Sequence, residues 1–244
     1  LCYLQVYLTS RIGSRFVYVL RRELFGHLQR LSLSFHSRAR SGELLTRIAS
    51  DTGQIKDIYT ESLLTLITQL ATVVGMLVGI AISEGRIRSI DDRADAYVPA
   101  LAGTPYGETP IRHLLTMSSG IRYSETYGGS DDVAVLARLS MGRGSEGGAA
   151  TVAPVRIREH APGERFNYAS ADTQVLGLVL RAATGVPLAD YLSEKIWRPM
   201  GAEADASWTI DKGGYEVAYC CFNATLRDYA RLGMLLANDG ALDG

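Results

Sequence analysis

A glycine-rich segment at residues 142–147 has the spacing G-x-G-x-x-G, with which a backbone loop can approach a pyrophosphate. It follows a helical pattern rather than a strand and opens no apolar helix, so the sequence predicts a flexible loop and no dinucleotide site. Ser145 within it does not match a nucleophile elbow, because G-x-S-x-G would need glycine where Arg143 stands. This segment therefore predicts no chemistry.

Side chains that commonly bind metal or phosphate are few and unfavourably spaced. The chain has three lysines, and none lies in a GxxxxGK[ST] phosphate loop. His113 and His160 are 47 residues apart, which is no metal-ligand spacing. Cys220 and Cys221 are adjacent and Cys2 is far from both, so neither a CxxC zinc motif nor a disulfide framework is implied. We expect no metal and no cofactor.

The elements that would position functional side chains in the second half are mainly helices. Thr109-Pro110 gives a helix start, Gly185 a helix end, and Thr225 with Asp228 three residues later a capping box. The predicted helices cover 110–117, 130–142, 172–184, 187–195 and the residues between Thr225 and Gly240. The predicted strands are Val152–Ile157 and Tyr215–Phe222.

Four blocks of this half resemble the serine β-lactamase and penicillin-binding-protein-like hydrolases, especially their class C-like esterase and nylon-oligomer hydrolase branch. They are LVGIAISEGRIRSIDDRADAYVPAL (77–101), TPIRHLLTMSSGI (109–121), HAPGERFNYASADTQVLGLVL (160–180) and NATLRDYARLGMLL (223–236). The resemblance implies a partial β-lactamase-like α/β fold, mainly α with minor β, of which this chain holds the helical part and an incomplete sheet. It also implies acyl-serine cleavage of a small amide, ester or β-lactam-type substrate.

In that family a serine nucleophile, a lysine one helical turn later and a tyrosine across the cleft act together. The resemblance places Tyr168 at the general-base position and Ser170 where many members have asparagine. The alternative for Tyr168 is a structural tyrosine after the Pro162-Gly163 turn. A free tyrosine with pKa near 10 is ionised in only about one molecule in a thousand at neutral pH, so a base role needs neighbouring cations.

The catalytic Ser-x-x-Lys pair of the family does not occur anywhere in the sequence. The register of the resemblance puts Thr68 near the serine position and Ala71 near the lysine position, where no group would activate the threonine. The third family motif, a Lys-Thr-Gly-like strand, would fall after Gly244. We therefore identify no nucleophile and expect the chain to be inactive as a hydrolase.

The first half differs in charge and pattern. Residues 1–61 hold nine Lys/Arg and five Asp/Glu, a net charge of +4, and the charge-free run 62–83 follows them. A basic segment beside an apolar run of this length is typical of the cytoplasmic side of a membrane span, here predicted at 62–82. A buried helix of a soluble protein is the alternative. The basic residues are too sparse for a nucleic-acid interface.

The segment LRRELFGHLQRLSLSFHSRARSGELLTRIASDTGQI (20–55) resembles the intracellular stretch of an ABC exporter transmembrane domain. Phe35, Gly42, Glu43, Arg47 and Asp51 are among the residues that follow the family's order. The resemblance implies long membrane-type helices and a contact between residues 38–46 and an ABC ATPase domain.

Together these patterns predict two domains: an ABC transporter transmembrane fragment at 1–78 and an incomplete β-lactamase-like hydrolase at 79–244. If 62–82 spans a membrane, the hydrolase-like half is extracytoplasmic. Two other interpretations stay open: a fragment of an exporter membrane subunit, and a chimeric or misassembled chain without a selected function.

Overall fold

The computed structural model describes Arg22 and residues 72–126, 129–142, 146–238 and 240–241. All of these except Arg22 belong to Gln69–Gly244, the second of the two units into which the chain divides. Its α-helices are α1 Thr72–Ser83, α2 Ile111–Leu115, α3 Asp132–Met141, α4 Ser170–Thr184, α5 Leu188–Leu192 and α6 Leu226–Ala237. Its strands are β1 Ser207–Trp208 and β2 Phe222–Asn223. This part of the chain is therefore mainly helical with a small sheet.

Helix α4 forms the centre of the described unit. Every residue from Ser170 to Leu180 is buried, and the helix packs against α2, α3 and α5. A helix that is buried on all sides must be largely apolar, and Val175, Leu176, Val179 and Leu180 meet that requirement. The helix ends at Gly185, whose left-handed backbone, with φ of 76°, gives a C-cap that few other residues adopt without strain.

The neighbouring helices follow the start signals in the sequence. Pro110 precedes α2, and the side chain of Asp131 accepts a hydrogen bond from the backbone N–H of Ala134 at the start of α3. Pro187 precedes α5, which continues as a π-helical turn at Ser193–Trp197. These three helices confirm the predicted starts, although α2 ends at Leu115 rather than Met117.

Helix α1 shows the apolar period of a packed helix. Val73, Val74, Leu77, Val78 and Ala81 are buried, whereas Thr72 and Gly79 on the other side are exposed. Residues 62–71, the first part of the predicted span 62–82, lie outside the described residues, as does the predicted ATPase contact at 38–46.

Within the described ranges, no single helix is both long enough and apolar enough to cross a membrane. The pair Ser170–Thr184 and Leu188–Trp197 reaches that length and composition only jointly, with a bend of 79° between the two helices. The long membrane-type helices expected from the sequence are therefore not shown.

The strand content is smaller than predicted. Strands β1 and β2 pair antiparallel, with Ser207 opposite Asn223 and Trp208 opposite Phe222. The predicted strand Val152–Ile157 is wrong, because this segment forms turns and irregular backbone. Val152 and Val155 are both buried, three residues apart across a turn, which explains an apolar pattern without a strand.

The end of the described unit is held by aromatic packing and a helix cap. The ring of Phe222 contacts Trp197, Trp208 and Tyr229 edge to face. Cys220 and Cys221 form a disulfide that the sequence did not predict, and Cys221 has a left-handed backbone with φ of 68°. After β2, the hydroxyl oxygen of Thr225 accepts a hydrogen bond from the Asp228 N–H, which confirms Thr225 as the N-cap of α6. The Asp228 carboxylate accepts from the Thr225 hydroxyl and from the N–H of Glu203.

Candidate active site around Tyr168

The segment that carries Tyr168 lies along the chain that follows α2. The N–H of Gly163 donates to the carbonyl of Ser118 at 2.8 Å, and the N–H of Asn167 donates to the carbonyl of Met117 at 2.8 Å. The side-chain amide of Asn167 also donates to the carbonyl of Tyr123 at 3.2 Å. These bonds fix the backbone immediately before Tyr168 at one position on the core.

Close backbone approach makes glycine necessary beside this segment. Gly120 has a left-handed backbone with φ of 73°, and a Cβ there would overlap the carbonyl oxygen of His160. Gly163 has φ of 89°, and a Cβ there would lie 2.5 Å from Cε1 of His113. His113, in α2, thus packs against the Pro-Gly turn.

Immediately after Tyr168, helix α4 begins against a carboxylate. Glu125 accepts a hydrogen bond of 3.0 Å from the N–H of Ser170 and another of 2.9 Å from its hydroxyl. The N-cap residue, Ala169, has no side chain that can accept a hydrogen bond. Glu125 therefore caps α4 from a distant loop, and its negative charge suits the positive end of the helix dipole. The sequence did not identify this residue, because the pairing spans 45 positions.

The surroundings of Tyr168 favour its neutral form. Burial, followed by the negative charge of Glu125, raises the pKa of the Tyr168 phenol to about 12, although the Ser170 hydroxyl acts in the opposite direction. With that pKa, about one phenol in a hundred thousand is ionised at pH 7. The charged groups that act on it, Glu125 and Asp172, are carboxylates, whereas a general base of this type would need cations.

The first turn of α4 carries a buried carboxyl group, that of Asp172. Oδ1 of Asp172 accepts hydrogen bonds from the Tyr106 hydroxyl at 3.1 Å and the Ser119 hydroxyl at 3.0 Å. Oδ2 has no hydrogen-bond partner among the described residues. Burial raises the pKa of Asp172 to about 7 despite these bonds. The predicted helix 172–184 begins at Asp172, but nothing in the sequence indicates its contact with Ser119.

Arg158 joins the same region through backbone acceptors. Its guanidinium donates to the carbonyl of Ser119 at 2.6 Å, to the carbonyl of Pro105, and to the hydroxyl of Thr109 at 3.0 Å. One planar side chain thus connects the loop before α2 with the loop after it. Its role in the described unit is to order the backbone next to Asp172.

Several of the residues considered in the sequence fall outside the described ranges. Thr68, Ala71 and residues 143–145 lie outside the described residues. Asn223, in β2, donates to the carbonyl of Cys221, and Arg227 lies exposed near Glu203. Across the part of the chain that the structure describes, no group of three His, Cys, Asp or Glu side chains could hold a metal ion.

Comparison with known families finds one family in the first part of the chain and another in the second part, as the sequence patterns do. The Beta-lactamase family matches residues 72–244, and the ABC transporter transmembrane region matches residues 1–86. The 6-aminohexanoate-dimer hydrolase of Paenarthrobacter ureafaciens is 32% identical over 174 residues, which are 70% of this chain and 44% of that protein. The ATP-dependent lipid A-core flippase of Pseudoalteromonas translucida is 37% identical over 75 residues, 31% of this chain and 13% of the flippase.

Solved structures give the same assignment for the second part. A Bacillus anthracis protein assigned as a 6-aminohexanoate-dimer hydrolase superposes with a TM-score of 0.64 at 29% identity, over 72% of this chain and 47% of that one. The octameric penicillin-binding protein homologue of Pyrococcus abyssi superposes with a TM-score of 0.52 at 22% identity, over 72% and 45% of the two chains, which supports the fold alone. The chain spans less than half the length of each of these hydrolase-like relatives.

Proposed function

Because the chain belongs to the beta-lactamase family through residues 72–244, we propose that this part has the helical architecture of a serine hydrolase acting on a small amide, ester or peptide bond. The observation that carries the proposal is the family match together with the placement of Tyr168 at the start of the central helix α4. A small linear amide is the favoured substrate class, because two of the hydrolase relatives are named for 6-aminohexanoate dimer.

Within that function, Tyr168 occupies the general-base position and Ser170 supports it. The Ser170 hydroxyl lowers the pKa of Tyr168, whereas the larger effects of burial and Glu125 raise it. A neutral phenol can donate a hydrogen bond but cannot accept the proton of an attacking serine. Tyr168 would therefore act as a base only beside a cation such as the lysine of Ser-x-x-Lys.

No Ser-x-x-Lys pair is present in the 244 residues, so this chain by itself does not form an acyl-enzyme. Covalent labelling with a fluorophosphonate and with a fluorescent penicillin, followed by intact-protein mass spectrometry, tests this. We expect no adduct from the chain as it stands. An adduct that disappears in Tyr168→Phe would show an active site that the sequence does not reveal.

A second variant tests the register of the missing pair. Thr68→Ser combined with Ala71→Lys places Ser-x-x-Lys where the family resemblance puts it. Slow labelling that needs both substitutions and Tyr168 would support the placement of Tyr168 opposite the nucleophile. Labelling of the double variant that survives Tyr168→Phe would contradict the general-base position.

The match of residues 1–86 to the ABC transporter transmembrane region favours a second candidate function, an exporter membrane fragment. We propose a domain boundary at 78/79, a membrane segment at 62–82, and an ATPase contact at 38–46. In this arrangement residues 1–61 are cytoplasmic and the hydrolase-like part is extracytoplasmic. Protease digestion of sealed cells should then cleave within 79–244 from outside, and protection of that part would contradict the arrangement.

Association with an ATPase domain gives a separate test of the exporter candidate. Co-reconstitution with an exporter ATPase should give a complex that substitutions within 38–46 weaken. Failure to associate would remove this candidate. Resequencing across codons 65–90 would distinguish both functions from a chimeric or misassembled chain, because a corrected frame containing Ser-x-x-Lys would restore the nucleophile.

A further inference from the structure

Glu125 binds Ser170 with both oxygens of its carboxylate. Oε2 accepts from the backbone N–H at 3.0 Å and Oε1 accepts from the hydroxyl at 2.9 Å, although 45 residues separate the two positions. One planar carboxylate therefore accepts from both the backbone N–H and the hydroxyl of Ser170. Such a two-point contact fixes the backbone position of Ser170 together with the rotamer of its side chain.

Tyr168 lies between this contact and a second fixed point. Asn167, on one side, is hydrogen-bonded to the carbonyls of Met117 and Tyr123. Ala169, on the other side, is buried with 1% of its surface exposed and leads directly into Ser170. The backbone of Tyr168 is thus held at both ends, so the position of its phenol depends on Glu125 at one end.

The contact with Glu125 also engages the side chain of Ser170. Its hydroxyl donates a hydrogen bond of 2.9 Å to Oε1 of Glu125. Ser170 itself is 4% exposed, which makes direct contact with a substrate small. The serine at this position therefore connects Tyr168 to Glu125 rather than facing an open cleft.

The negative charge of Glu125 acts on two phenols. It is the second cause, after burial, that raises the pKa of Tyr168, and it also raises the pKa of Tyr219, again after burial. The other groups that act on Tyr168 are the Ser170 hydroxyl and the buried carboxyl of Asp172. One carboxylate thus combines a positional contact with an electrostatic effect on the same tyrosine.

We propose that Glu125 is the positioning residue of the Tyr168 site: through its two hydrogen bonds to Ser170 it holds the Tyr168-Ala169-Ser170 segment in place, and it sets a negative charge beside that segment. Burial and this charge both disfavour the ionised phenol, so a base role for Tyr168 needs a cation that offsets the two together. The assignment of a catalytic position to Tyr168 rests on the proposed function, whereas the effect of Glu125 on its ionisation does not.

Substitution of Glu125 by glutamine separates charge from contact. Glu125→Gln keeps an oxygen that can accept from Ser170 and removes the negative charge. Glu125→Ala removes both. Glu164→Gln is the matched control, because Glu164 also accepts a backbone hydrogen bond, from the N–H of Ala161, and lies four residues before Tyr168.

The readout is the ionisation of Tyr168 in the full-length chain, followed by NMR of 13Cζ-labelled tyrosine from pH 8 upward, with the ionised fraction at pH 11 as the measure of the midpoint. Comparison with Tyr168→Phe assigns the signal among the 13 tyrosines. We expect the midpoint to fall by about one pH unit in Glu125→Gln, so that at pH 11 about half of Tyr168 is ionised, against about one tenth in the unsubstituted chain. Glu164→Gln should leave the midpoint unchanged.

Hydrogen exchange at neutral pH tests the positional part. The Ser170 amide should exchange about tenfold faster in Glu125→Ala than in Glu125→Gln, because only alanine removes the acceptor. The electrostatic role would be overturned if the midpoint of Tyr168 stayed unchanged in Glu125→Gln, or if Glu164→Gln shifted it equally. The positional role would be overturned if exchange of the Ser170 amide stayed unchanged in Glu125→Ala. Neither measurement requires turnover. If the proposed hydrolase function fails, the two experiments still test the role of Glu125.

Discussion

The hydroxyl of Tyr106 donates a hydrogen bond of 3.1 Å to Oδ1 of Asp172, and neither side chain has more than 1% of its surface exposed. The bond joins the loop before α2 to the first turn of α4, 66 positions apart in the chain. Burial raises the pKa of both groups, that of Tyr106 well above its usual value and that of Asp172 to about 7. The carboxyl is therefore accommodated best when it is protonated.

The buried Asp172 should make the free energy of unfolding depend on pH. Its pKa is about 7 in the folded chain against an ordinary value of 3.8, so its contribution is most favourable below pH 4 and is lost as pH rises through 7. The full loss corresponds to about 4 kcal/mol. Urea unfolding of the unsubstituted chain and of Asp172→Asn at pH 4.5 and 7.5 measures this contribution. Asparagine should stabilise the protein relative to aspartate at pH 7.5 more than at pH 4.5, and an equal difference at both pH values would contradict the account.

Asp228 should show the opposite dependence. It accepts a 2.8 Å hydrogen bond from the N–H of Glu203, and this bond, followed by those of Thr225 and Arg231, lowers its pKa. A lowered pKa contributes stability above the ordinary value of 3.8, and that contribution is lost as pH falls through the folded pKa. Asp228→Asn should therefore destabilise the chain at pH 7 and have little effect near pH 2. A cost that persists at low pH would point to lost packing instead.

The contrast between the two aspartates shows what the sequence could predict. Thr225 and Asp228 are three residues apart, so the Thr225 N-cap and its helix were predictable from local spacing. Asp172 also lies at a helix start, yet its partners Tyr106 and Ser119 come from distant parts of the chain. Glu125 was missed for the same reason, because its contact with Ser170 exists only after α4 packs against the loop before α3.

Strand prediction failed where an apolar pattern had another cause. Val152 and Val155 are buried across a turn, and the run of apolar residues with Val and Ile at 152–157 resembles a short strand in sequence. The predicted strand Tyr215–Phe222 is reduced to Phe222–Asn223, because its remaining backbone pairs with Asp211 and Thr209 in a tight turn. The roles of Tyr168 and Ser170 stay predictions, since a position in a fold does not establish an activity.

Gly177, in the middle of α4, is needed for close packing. A Cβ at this position would overlap the Cβ of Ala218, which belongs to a segment that also donates its N–H to the side chain of Gln174. Gly177→Ala should therefore destabilise the chain by about 1–3 kcal/mol. Gly79→Ala is the control: Gly79 lies in α1 with no atom near its Cβ position, and alanine should stabilise the helix by about 0.5–1 kcal/mol. Chemical unfolding of both variants at one pH measures the difference, and equal effects would refute the packing explanation.

Arg158 should not be replaceable by lysine. Its guanidinium donates to the Ser119 carbonyl from Nη1 and to the Thr109 hydroxyl from Nη2, an arrangement that a single ammonium group cannot reproduce. Arg158→Lys should lower the free energy of unfolding by about 2 kcal/mol, since it leaves buried acceptors without donors. Arg156→Lys is the control, because Arg156 is exposed and donates a hydrogen bond to the carbonyl of Ala153, only three residues away; its effect should stay within about 0.5 kcal/mol. If lysine is tolerated equally at both positions, the three acceptors around Arg158 do not depend on it for their stability.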